Sequence, residues 1–103
     1  MPFNVKASNF AHLRDADERA VKEAIDNGET KTVAKAFAEY LAGWNEIEHL
    51  DFDKFVEIVA VLRSLGFWRK LSINDFLSNY GEVLSPKVFK EFGDCAEGYL
   101  ATV

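Results

Sequence analysis

The residues best equipped for chemistry in this 103-residue chain are Glu46, Glu48, His49, Asp51 and Asp53. One imidazole and four carboxylates in so short a run make a hard-ligand set of the kind that holds a divalent cation. A calcium loop is the natural test, because Leu50-Asp51-Phe52-Asp53-Lys54-Phe55 has the form of such a loop entering its exit helix. In that register the first ligand position falls on Gly43, the glycine position on Glu48 and the closing bidentate carboxylate on Lys54. Each is the wrong residue for the ion. His49 also has no His or Cys partner at a ligand spacing. The run therefore reads as a solvated loop whose carboxylates cap the following helix and complement its N-terminal dipole. No metal and no cofactor is expected.

A second group, Arg63, Trp68, Arg69 and Lys70, joins cations to an aromatic ring and could stack on bases or pair with phosphates. Its three cations are few beside the roughly six to ten phosphate contacts of a duplex reader. A helix-turn-helix drawn from the second and third helices fails because the third is too apolar to lie in a major groove. The whole chain carries 12 basic and 17 acidic side chains, a net charge of −5, which repels phosphate backbones. Nucleic acid is thus a disfavoured partner, and Trp68 is expected to seal the core beneath a turn at Gly66.

The remaining reactive side chains stand alone. His12 lies beside Phe10 and Leu13 with no nucleophile or orienting partner in its neighbourhood. Cys95 has no neighbouring cation to lower its pKa and reads as a small buried side chain. No nucleophile elbow, phosphate-cradling glycine loop, His-Glu-x-x-His pair or Cys-x-x-Cys motif occurs, so no catalytic residue is assigned and an enzyme is not expected. The single cysteine fits a reducing compartment. The longest stretch free of Asp, Glu, Lys and Arg is Ala7 to Leu13, far short of the ~20 apolar residues of a membrane helix. With no basic-then-apolar leader, the expected location is the cytoplasm, away from any membrane.

Helices must do the positioning, because the periodicity is helical nearly throughout. Asn9 to Asp26 places Phe10, Leu13, Ala20, Val21, Ala24 and Ile25 at three- and four-residue spacings, and Asn27-Gly28 ends the segment. Asp15, Asp17 and Glu18 leave a second reading open, a fresh start after a short turn. Thr30 or Thr32 caps the next helix, where Val33, Phe37, Tyr40, Leu41 and Trp44 share one face and Lys31, Lys35 and Glu39 the other. Asp51 or Asp53 caps the third, and Gly66 closes it. Phe52, Phe55, Val56, Ile58, Val59, Val61, Leu62 and Leu65 cover most of that helix, so it is expected to be wrapped by its neighbours. Ser72-Ile73-Asn74-Asp75 has the form of a capping box, with Gly81 as the stop. Ser85-Pro86 starts the last helix, and Gly93 and Gly98 predict an end, kink or frayed turn within it. The expected fold is all-α: one compact five-helix domain over residues 1–103, with the 51–65 helix at its centre.

Aromatic residues make up 14% of the chain, more rings than a core of this size absorbs. Phe37, Phe52, Phe55, Phe76, Phe89, Phe92, Tyr40 and Tyr80 fall on expected inner faces, whereas Phe3, Phe10, Trp44, Phe67, Trp68 and Tyr99 fall near helix ends or termini. Partly exposed Trp and Tyr are the side chains most enriched at binding hot spots. The leading expectation is a small acidic protein-interaction module: an adaptor, regulator, inhibitor or homodimer. Its patch would comprise Trp44, Phe67, Trp68 and Tyr99, with Glu46 and Glu48 as rim charges that steer a basic partner. Removing both Trp44 and Trp68 is expected to abolish binding and leave helicity intact. The alternatives are an acidic inhibitor of a nucleic-acid-processing enzyme, or a small DNA-binding regulator using Arg63, Arg69 and Lys70.

Overall fold

The computed structural model describes residues 4–101, and every regular element among them is helical. Seven α-helices occur in order: α1 (Ala7–His12), α2 (Asp15–Asp26), α3 (Thr30–Ala42), α4 (Phe52–Ser64), α5 (Phe67–Lys70), α6 (Ile73–Tyr80) and α7 (Pro86–Ala101). A single 3-10 turn (Gly81–Val83) joins the last two. The all-α class holds, but the count rises from five because the first segment divides and a short α5 follows the Gly66 turn.

The division falls at Leu13, whose φ of 46° places a non-glycine residue in the left-handed region. Asp17 holds the break together. Its Oδ2 accepts the Arg14 backbone N–H at 2.9 Å, and its Oδ1 accepts Asn9 Nδ2 at 2.8 Å. Asn9 Oδ1 in turn accepts the Lys6 N–H at 2.7 Å. One carboxylate thereby starts α2 and ties it to α1. These hydrogen bonds, the backbone one foremost, hold the Asp17 carboxyl below its ordinary value of 3.8. A carboxylate with a depressed folded-state pKa contributes stability that is present at neutral pH and lost as the pH falls through that folded value. Asp17→Ala should therefore lower the melting temperature more at pH 7 than at pH 3. Equal losses at the two pH values would count against this role.

Helix ends elsewhere follow local rules. Asn27 and Gly28 close α2 in a Schellman turn, with Glu29 N–H on the Ala24 carbonyl at 2.8 Å and Gly28 N–H on that of Ile25 at 3.1 Å. Asp51 caps α4 through the Lys54 N–H, Ser72 caps α6 through that of Asp75, and Ser85 caps α7 through that of Val88. The expected threonine cap on α3 is not made. Glu29 occupies that position, Thr30 is already helical, and the Thr32 hydroxyl is spent on the Glu29 carboxylate at 3.3 Å.

Helix α3, and not the 51–65 segment, forms the centre. It packs against α1, α2, α6 and the 3-10 turn, whereas α4 packs chiefly against α7 and α5. The reason is side-chain size. Besides Val33, Phe37 and Leu41, α3 buries Ala34, Ala36 and Ala38, whose small side chains let neighbours approach on several sides. On α4 only Phe55, Ile58, Val59 and Leu62 are buried, and Val56, Val61 and Leu65 remain half-exposed. Phe37 is the hub: its ring lies 5.1 Å from Phe10, 5.2 Å from Phe76, 5.4 Å from Phe92 and 6.3 Å from Trp68.

Helix α7 runs unbroken through Gly93 and Gly98. Gly93 is buried, and a Cβ there would stand 3.1 Å from Leu77 Cδ1, so its bare backbone lets α6 and α7 close. Two other glycines give opposite expectations. Gly66 has φ +83° with nothing within 4 Å of an added Cβ, so Gly66→Ala should lose about 1–2 kcal/mol through backbone strain alone. Gly98 is exposed and helical with equal space, so Gly98→Ala should gain about 0.5–1 kcal/mol. Urea melts of the two variants check both signs.

Candidate functional site

Two rings exchange places with two others relative to the sequence expectation. Phe10 and Phe67, assigned to helix ends, are fully buried. Phe10 reaches the core because the break at Leu13 lets α1 lie across α3, and Phe67 because the left-handed Gly66 reverses the chain inward. Phe52 and Phe89, assigned to the core, are 46% and 40% exposed. Phe52 opens α4 and continues its inner stripe past the end of the core. Phe89 stands at the edge of the buried α7 stripe, its ring lying against Gly81. Tyr40 and Tyr80 are half-buried, and Phe3 lies outside the described residues.

The six residues expected to form one patch are not brought together. Phe67 is interior and offers no surface to a partner. Trp68 is half-buried. Its ring lies 4.8 Å from Phe67 and 6.1 Å from Phe76, and its Nε1–H donates to the Val59 carbonyl at 3.1 Å. Trp68 and Tyr99 line one pocket, while Trp44 lines another. Glu46 and Glu48 are exposed in the segment after Trp44, and the Glu48 carbonyl accepts the Lys87 ammonium.

The Trp44 site is an open groove of about 560 Å³ between α1 and the C-terminal end of α3. Ala7 and Ala11 of α1 form one side, Tyr40 and Trp44 the floor, and Ile47, 44% exposed, the far edge. Trp44 is fixed by edge-on contacts with Phe55 at 5.4 Å and Tyr40 at 6.4 Å. Two charges border the groove, Glu39 and Lys54. Lys54 stands 4.0 Å from Glu57, whereas Glu39 has no ion pair among the described residues. Burial raises the Tyr40 hydroxyl above its ordinary pKa of 10.0, with the charges of Asp51 and Glu57 adding to the effect, so the phenol stays neutral. The groove is therefore apolar at its floor, with its one uncompensated charge negative.

Within the acidic run Asp51 is the α4 cap, and Asp53 lies in the first turn of that helix. Among the described residues no three His, Cys, Asp or Glu side chains gather into a metal site. His12 is exposed at the end of α1. Cys95 is half-buried 3.9 Å from the Phe52 carbonyl, and burial, with Asp53 nearby, raises its pKa and keeps it a thiol. No helix among the described residues is long and apolar enough to cross a membrane.

The sequence reading singles out Trp44, which lines this groove, but not Ala7, Ala11 or Ile47. Ile47 carried a signal, as a lone aliphatic between two glutamates. The alanines carried none, since they matter only once α1 is laid against α3. No family model, curated protein or solved structure matches the chain.

Proposed function

We propose that this domain is a non-enzymatic protein-interaction module whose groove between α1 and α3 receives a basic amphipathic helix. The observation that carries this reading is an apolar groove floored by two held aromatic rings and bordered by an unpaired Glu39. Grooves of this kind take the apolar face of a helix, with anchors three or four residues apart. Glu39 beside the groove, Glu46 and Glu48 in the following loop, and the net charge of −5 favour a partner whose flanks carry Lys or Arg.

The test uses calorimetry with a Leu/Lys amphipathic helical peptide about five turns long and its Leu/Glu counterpart. The basic peptide should bind and the acidic one should not. Ala11→Glu fills the groove from an exposed position and Ile47→Asp removes its far edge, and both leave the core untouched. Each should weaken binding by about tenfold or more, the equivalent of 1.4 kcal/mol. Equal binding of the two peptides, or indifference to both substitutions, would sink the proposal.

A further inference from the structure

On the opposite flank of Trp68 from the core lies a second recess, of about 550 Å³, between α4, α5 and the end of α7. Its charged lining differs from that of the α1–α3 groove, which carries Glu39 and Lys54. Arg63 and Arg69 both line the recess, no acidic residue does, and neither arginine has an ion pair among the described residues. In a chain with five more acids than bases, this gathers positive charge in a recess that no carboxylate of the described residues lines. We propose that this pocket binds a small ligand of mononucleotide size, a planar aromatic ring bearing a phosphate.

The remaining polar groups narrow the chemistry. The Trp68 Nε1–H is spent on the Val59 carbonyl at 3.1 Å, and the Ser64 hydroxyl donates to the Val61 carbonyl at 2.7 Å. The donors left to the ligand from these four side chains are the two guanidiniums, which bind phosphate oxygens through paired N–H groups. Trp68 and Tyr99 supply ring surface in the same recess, and Ala60 and Leu100 supply apolar wall. Rings of this kind stack on a nucleobase. The volume falls within the roughly 300–1,000 Å³ of small-ligand pockets. Arg63 and Arg69 each sit in the last turn of a helix, where the C-terminal dipole also favours a cation. Their convergence on one acid-free pocket with two aromatic rings is what that local role does not supply.

The probe is adenosine monophosphate, read by Trp68 emission in a Trp44→Phe background and by calorimetry on the unaltered protein. Adenosine and inorganic phosphate serve as separate arms. Saturable binding is expected with Kd below about 1 mM, with adenosine and phosphate each at least about tenfold weaker. Arg63→Gln and Arg69→Gln, both at exposed positions, should each cost about tenfold and leave circular dichroism unchanged. Absence of saturation, or affinity unaffected by both arginine variants, would overturn the proposal. So would phosphate binding as tightly as the nucleotide, because the rings would then contribute nothing. A single-stranded oligonucleotide binding more than about a hundredfold tighter than the mononucleotide would replace the pocket with a strand-tracking surface. The proposal stands apart from the α1–α3 groove, and Ala11→Glu should leave nucleotide binding unchanged.

Discussion

Phe37→Ala should destabilise the domain by about 3–5 kcal/mol, the largest effect of any single truncation considered. Its ring is fully buried and sits within 5.5 Å of three others: Phe10, Phe76 and Phe92. Those rings belong to α1, α6 and α7, so the cavity would open where three helices meet the central one. None of the three can collapse into it without leaving its other contacts: Phe76 also stacks on Tyr80, and Phe92 packs edge-on to Phe55. A domain of this size has about 5–15 kcal/mol of stability in all. At about 4–8 °C per kcal/mol, the melting temperature should fall by roughly 12–40 °C. A fall of only a few degrees in a thermal melt would show that the core refills and that the hub is not a hub.

Trp68→Ala is the second large effect, and it changes how binding must be tested. Two sequence expectations concern Trp68: that it seals the core beneath the Gly66 turn, and that it anchors a surface patch whose removal, together with Trp44, spares the helices. In the structure its ring closes over Phe37, Phe67 and Phe76, and its indole N–H ties α5 to the Val59 carbonyl of α4. Truncation should cost about 3–4 kcal/mol and take helical signal with it at elevated temperature. Trp68→Phe keeps most of the apolar volume and removes one hydrogen bond, so about 1–2 kcal/mol is expected. Chemical denaturation of the two variants separates packing from hydrogen bonding. If Trp68→Ala melts like the parent protein, the indole is peripheral. Loss of partner binding in a Trp68→Ala protein is therefore no measure of a surface contact, whereas Ala11→Glu and Ile47→Asp are.

The parts of this fold legible in the sequence are those governed by neighbours along the chain. Asp51, Ser72 and Ser85 announce helix starts because each cap needs only the N–H three residues on. Val33, Phe37 and Leu41 announce the inner face of α3 because a helix repeats every 3.6 residues. The errors come where the deciding contact is distant. Ala34, Ala36 and Ala38 look neutral in a hydrophobic count, yet their small size makes α3 the centre. Phe52 and Phe89 have the right spacing for burial, but Phe52 opens α4 past the end of the core and Phe89 stands at the edge of the buried α7 stripe. The break at Leu13 was half legible: the acids marked a second start, but no glycine marked the left-handed residue before it.

The candidate sites were less legible still. Trp44 stands out in the sequence as an end-of-helix ring, but the groove it lines needs α1 folded onto α3. Arg63 and Tyr99 are far apart in sequence, and only the packing of α7 on α4 brings them to one recess.

The aromatic hub also bears on how quickly this chain can reach its native state. Helices form from local contacts within about a microsecond, and an all-helical fold is ordinarily a fast folder for that reason. Here the rings around Phe37 come from residues 10, 68, 76 and 92, so the first and last helices must both arrive before it is enclosed. Each arrival closes a long loop whose entropy must be lost before the ring contact compensates it. The rate-limiting event should then be the docking of α1 and α7 onto α3.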